Sequence, residues 1–235
     1  MADLRKLIWV ELKLFRRDLG AAFFPLIIPL FVLVIFGISF DLTDSSLPAV
    51  SVALALALQA FYNLPGGLAN YRESGVLRRL ATTPVHPGKL LAAQLIVHLL
   101  ATALSAALVS GVAVLLFKIP APRSILEFLG VFFAGLLAMF AIGLLIAALA
   151  PNGRAATGTG VLLYFPLAFL GGLTVPYEQM PPLLALLGDF TPLGAFRHAL
   201  YNSWSGNPLD PLGLVIMGLY AGIAGFAAVR LFRWQ

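Results

Sequence analysis

Two groups of polar residues in this chain have types and spacing that could do chemistry. The first is the stretch Tyr71–Leu90, YRESGVLRRLATTPVHPGKL, which carries Arg72, Glu73, Arg78, Arg79, His86 and Lys89. It lies between two long apolar runs, Leu47–Asn70 and Leu91–Phe117, that contain no Asp, Glu, Lys or Arg. A short basic island at the end of two hydrophobic runs must face water, and it offers a soluble partner something to grip. The second group is Gln59 with Asn63 and Gln94 with His98. Amides and an imidazole inside apolar helices could line a translocation path, or they could join helices by hydrogen bonds. His98 has no carboxylate or second His at helical spacing, so a structural hydrogen bond is the expected role.

Other chemistries lack their residues. Gly88-Lys89 is followed by Leu90, and no Gly stands five positions before Gly88, so no phosphate-cradling loop of the G-x-x-x-x-G-K-[ST] type is present. H-E-x-x-H and G-x-S-x-G are absent. Glu178 and Asp189 are separated by prolines and match no metal-ligand spacing. Cysteine is missing altogether, which removes disulfides, thiolate nucleophiles and Cys-based metal sites. The chain is therefore expected to have no catalytic residue, metal or bound cofactor of its own and not to be an enzyme.

The elements that must position these groups follow from composition. The chain is 60% hydrophobic and 11% charged, whereas a soluble domain is roughly 45–50% apolar and about 25% charged. Such a chain needs a membrane to cover its surface. Crossing a bilayer core of about 30 Å takes roughly 20 apolar helical residues. The uncharged runs predict an all-α membrane protein with six transmembrane helices over residues 19–40, 47–70, 90–117, 128–151, 155–176 and 211–230. Helices rather than barrel strands are expected, because the runs are continuous and rich in Leu, Ala and Gly.

Charge fixes the expected orientation. With the N-terminus in the cytoplasm, 12 of the 15 Lys and Arg residues fall inside and only Lys118, Arg123 and Arg197 outside. Both termini and the 71–89 island are then cytoplasmic. Residues 3–18 place Leu4, Leu7, Ile8, Leu12 and Phe15 on one helix face, with the basic residues mostly elsewhere, and predict an interfacial helix lying flat on the inner leaflet. Pro25 and Pro29 should kink the first span, and Pro65-Gly66-Gly67 should bend the second or pack it closely. A helix is expected over Tyr71–Ala81, stopped by Pro84 and Pro87. The proline-broken stretch 177–208 reads as short outer helices, either re-entrant or lying on the leaflet.

The island R-E-S-G-x-L-R-R-L-x-x-T-P-V, followed by a Pro and a new span, resembles the intracellular segment of ABC-2 type transporter permeases. The likeness extends to the flat N-terminal helix, the six spans, and the strings P-Y-E-x-M-P-P and T-P-L-x-x-F-R-H-A-L of the outer stretch. By length it is closest to drug- and antibiotic-resistance export permeases, and polysaccharide exporters share the architecture. The resemblance implies a single ABC-2 transmembrane domain over 1–235, in the plasma membrane of a bacterium or archaeon. It implies a second permease copy, identical or not, and two copies of a separate ABC ATPase that holds ATP and Mg, with lipid around the pair and no nucleic acid. It makes the island the coupling helix that docks on the ATPase, with Arg72, Glu73, Arg78 and Arg79 as docking charges and Val76, Leu77 and Leu80 as apolar anchors. The implied substrate is amphipathic or lipid-linked, moved out of the cytoplasm. A stand-alone secondary transporter or channel is the alternative. It would need a polar site near the midplane, for which the sequence offers Gln59, Asn63, Gln94 and His98 and no buried carboxylate.

Overall fold

The computed structural model describes residues 2–39, 45–76 and 87–231, and all regular structure among them is helical. The N-terminal helix α1 (Ala2–Arg17) turns its Leu4, Leu7, Ile8 and Phe15 stripe toward the protein, while Arg5, Lys6, Lys13, Arg16 and Arg17 are exposed. Helix α2 (Leu19–Ser39) follows. It is bent by 61° from α1, and both helices pack on α5 (Pro87–Leu115). Pro29 has no N–H to give to the carbonyl four residues back. That carbonyl, of Pro25, instead accepts from the Ser105 hydroxyl of α5 at 2.7 Å.

The second apolar run forms the centre of the molecule. It comprises α3 (Ser46–Leu58), a π-turn (Gln59–Asn63) and α4 (Leu64–Glu73), continuous over 28 residues with 83% of its apolar window buried. In the π-turn the Leu64 N–H reaches back five residues to the Gln59 carbonyl. Pro65 cannot donate at all, which favours a widened turn here. The next two carbonyls project toward glycines on neighbouring helices. A Cβ on Gly143 of α6 (Ile125–Leu149) would stand 2.2 Å from the Ala60 oxygen, and one on Gly160 of α7 (Gly153–Leu170) 1.6 Å from the Phe61 oxygen. Only glycine permits that approach.

Helices α6 and α7 are joined by a tight turn at 150–152, with Asn152 capping α7 by accepting from Ala155 N–H at 2.8 Å. Helix α7 ends at Leu170, before Gly171 and the left-handed Gly172 (φ 72°), well short of the residue 176 expected for this span. A 3-10 turn (Tyr177–Gln179), α8 (Pro182–Asp189) and α9 (Pro192–Ser205) follow. The last helix, α10 (Pro211–Leu231), lies mainly against α6 at the periphery, with 22% of its window buried.

Among the described residues, four helices are long and apolar enough to cross a membrane: Ser46–Glu73, Gly88–Leu115, Ile125–Leu149 and Pro211–Leu231. The bent pair α1–α2 makes a fifth if it is one broken span. Helix α7, at 18 residues with Arg154 in its first turn, is not among them. The chain is thus an all-helical, multi-pass membrane protein.

Candidate functional site

The expected absence of a buried carboxylate is overturned by Glu11. It is only 7% exposed, because it sits in the middle of the α1 stripe, four residues after Leu7 and four before Phe15. Burying a carboxylate is costly unless its oxygens are hydrogen-bonded. Two groups from other helices supply the bonds. The Tyr71 hydroxyl near the end of α4 donates to the carboxylate, 3.0 and 3.1 Å from its two oxygens. Gln94 Nε2 of α5 donates to Oε2 at 3.1 Å. Burial still pushes the Glu11 carboxyl above the usual carboxylate value, and the bonds from Tyr71 and Gln94 offset only part of the shift.

The other polar residues expected to share a site do so in part. Gln59 Oε1 accepts from Asn63 Nδ2 at 2.8 Å within the π-turn and lies 3.2 Å from His98 Nδ1. An amide oxygen can only accept, so His98 carries its proton on Nδ1 in this arrangement. The ring of Phe15 meets the His98 ring edge-on at 5.9 Å. Gln59, Asn63 and His98 thus bond to one another, whereas Gln94 turns to Glu11. Two buried polar atoms among these side chains have no hydrogen-bond partner, Gln59 Nε2 and Gln94 Oε1.

A cavity of about 360 Å³ opens beside these groups. Its walls come from α1 and α2 (Glu11, Phe15, Asp18, Gly20), the central span (Tyr62, Asn63, Gly66, Gly67, Tyr71), α5 (Gln94, Val97, His98) and Thr157 of α7. Among the described residues, no lysine or arginine lines it.

The start of the 71–89 island is tied to the bundle. The Arg72 guanidinium donates to the carbonyl of Ala150 and, at 3.5 Å, to that of Ala148. Glu73 Oε2 accepts from Gly153 N–H at 3.1 Å, at the positive end of α7. A Cβ on Gly153 would stand 1.7 Å from Asn70 Oδ1, so this glycine lets α4 close on the turn. The expected helix over Tyr71–Ala81 is not continuous. Helix α4 stops at Glu73, and Gly75 adopts a left-handed conformation (φ 72°) with its N–H on the Arg72 carbonyl at 3.1 Å. Glu73 and Val76 therefore do not share one helix face. Leu77, Arg78, Arg79 and Leu80 lie outside the described residues.

A second cluster occupies the 177–206 region. Tyr177 donates to Asp189 Oδ1 at 2.9 Å, His198 Nδ1 lies 3.4 Å from the same oxygen, and the Arg197 guanidinium sits 4.6 Å from the Tyr177 ring centre. Burial and the Asp189 carboxylate push the Tyr177 phenol up. Helix α9 does not lie on a surface. Leu193, Phe196, Leu200 and Trp204 are all fully buried against α3, α6 and α10. Helix α8 does show an apolar exposed face, with Leu183, Leu186 and Leu187.

Glu11 is the site residue that reading the sequence missed. The signal was present: it is a charged residue set in the middle of the apolar stripe, between Leu7 and Phe15. The comparisons with known proteins agree with the architecture. No curated protein matches the chain significantly. The sequence profile of the ABC-2 type transporter family, however, matches residues 3–203, from α1 through the central span and its polar island to α9. The chain belongs to the ABC-2 type transporter family.

Proposed function

We propose that this chain is the permease subunit of an ATP-driven exporter. Members of the family normally pair with an ABC ATPase. In this reading the chain crosses the plasma membrane of a bacterium or archaeon six times, with α7 among the spans and α8–α9 as the outer segment. Two permease copies pair, and each takes one ATPase, which holds ATP and Mg and performs all hydrolysis. The exported molecule is amphipathic or lipid-linked.

The observation that supports this most is the clamp at the root of the island. Arg72 and Glu73 grip the turn between α6 and α7 through backbone atoms. A displacement of residues 74–89 by a partner would pull on α4, α6 and α7 together. That gives a rigid-body route from nucleotide state to the spans, with the driving energy entering as differential contacts in two states. The test is affinity purification of tagged chain co-expressed with its ABC ATPase. Arg78→Glu and Glu73→Lys should lower co-purification of the ATPase and substrate-stimulated hydrolysis, while leaving membrane insertion intact. Unchanged hydrolysis in both variants would remove the docking assignment.

One observation favours the second reading, a stand-alone carrier. Glu11 supplies the buried carboxylate such a carrier would need. Substrate uptake into liposomes holding this chain alone, driven by a proton gradient, would select that reading over the first.

A further inference from the structure

We propose that the cavity beside Glu11 is a binding site for an organic ammonium, the primary-amine head of an amphipathic molecule. Two features of the walls, the Glu11 carboxylate and the Gln94 amide oxygen, point to a cation with N–H donors. Glu11 is 7% exposed and has no cationic partner among the described residues. A carboxylate taken out of water without a counter-charge is expensive, and a positively charged ligand relieves that cost. An ionised carboxylate has about four lone-pair positions, and the donors from Tyr71 and Gln94 leave some of them open. The carboxylate also fixes the orientation of Gln94. An acceptor-only neighbour takes the amide NH2, so the oxygen Oε1 is the atom left over.

That oxygen is the second, independent observation. Gln94 is 5% exposed, lines the cavity, and its Oε1 has no hydrogen-bond partner. One residue beside it is Gly67, on which a Cβ would stand 3.6 Å from Oε1, so on that side there is backbone and no side chain. Oε1 belongs to the same amide whose nitrogen meets Glu11, and an ammonium has three donors to bridge the carboxylate and the amide oxygen. Among the described residues, no lysine or arginine lines the cavity. Lys13, Arg16 and Arg17 of α1 line a separate surface groove with Trp9. The remaining wall is mixed: Leu14, Phe15, Tyr62 and Val97 offer contacts for an apolar or aromatic tail, beside polar groups that include Asp18 and His98. At about 360 Å³ the space fits a small drug-sized body at the lower end of ligand cavities.

This assignment gives the substrate class for the exporter proposed above, yet binding itself requires no ATPase. The experiment is therefore a fluorescence titration of dansylcadaverine, a primary amine, into the purified full chain in phosphatidylcholine nanodiscs at neutral pH. Saturable binding is expected, with the N-acetylated, neutral derivative at least about tenfold weaker, the scale of one charge-assisted bond. Glu11→Gln should cost about the same factor, and Gln94→Met, which removes the open oxygen, a smaller one. Unlabelled decylamine should displace the probe from the unaltered protein and decanol should not, which tests the proposal even if the variants fold poorly. Equal binding of the neutral derivative, or displacement by decanol as readily as by the amine, would overturn the site. Failure here with intact ATPase coupling removes only the ammonium site. Binding here without any coupled ATPase removes only the exporter reading.

Discussion

Two regions of this molecule, around Trp204 and around Glu11, are built on opposite principles. Around Trp204 the contacts are closed and mostly apolar. The indole donates to the Pro120 carbonyl at 2.7 Å, its ring packs edge-on with Phe128 at 5.6 Å, and the Phe196 ring fills the space left by Gly135. Around Glu11 the contacts are long-range hydrogen bonds between helices, set beside a cavity, with two buried polar atoms unpartnered. Dense packing is stiff, because any displacement opens a void or a clash. A polar network over open space can exchange partners at small cost. The comparison teaches that the Trp204 region serves as the anchor, and that the Glu11 region, beside the island, is where the bundle can rearrange.

The contrast can be broken most severely from the anchor side. Trp204→Ala should destabilise the protein by about 3–5 kcal/mol, the usual cost of deleting a buried indole, seen as a collapse of the thermal transition in detergent. Gly160→Ala comes next, at about 1–3 kcal/mol for overpacking. Its added methyl would meet the Phe61 carbonyl, a backbone atom that cannot turn aside, and the same thermal assay reads it. Arg72→Ala should cost about 1.5 kcal/mol, the low end for a charged donor because the side chain is only partly buried. Its sharper readout is faster proteolysis near residue 75 and weaker coupling to hydrolysis.

The smallest effect sharpens the comparison. The Glu11 carboxyl is raised above its usual value near 4.5 by burial. The folded state therefore holds a proton that the unfolded state has lost, and stability falls as pH rises from about 4.5 through the raised value. Thermal scans across that interval should show the decline, and Glu11→Gln should flatten it. An unchanged slope in the variant would place the titration elsewhere.

Much of the helical layout was legible, because long apolar runs around charged islands leave few alternatives in lipid. The amphipathic reading of residues 3–18 even contained the clue to Glu11, a carboxylate set in the middle of the apolar stripe. What was not legible depends on tertiary partners. Pro65 by itself does not distinguish Gln59–Asn63 as a π-turn from ordinary helix, since the turn is accommodated by Gly143 and Gly160, some 80 and 100 residues further on. The stop at Ser74–Gly75 was written in the sequence as a glycine after a helix, but the expected run to Ala81 passed over it. The end of α7 at Leu170 was hidden because the apolar composition continues past it into Gly171-Gly172-Leu173.

The π-turn also sets the angular phase of everything below it. Its wide turn takes up roughly one residue that an ordinary helix would convert into about 100° of rotation. Tightening 59–63 into ordinary helix with every residue kept would swing Tyr71, Arg72 and Glu73 about a quarter of the way round. Each would then point past its present acceptor or donor, although no atom of those three side chains had been altered, and deleting one residue from the turn would bring them back.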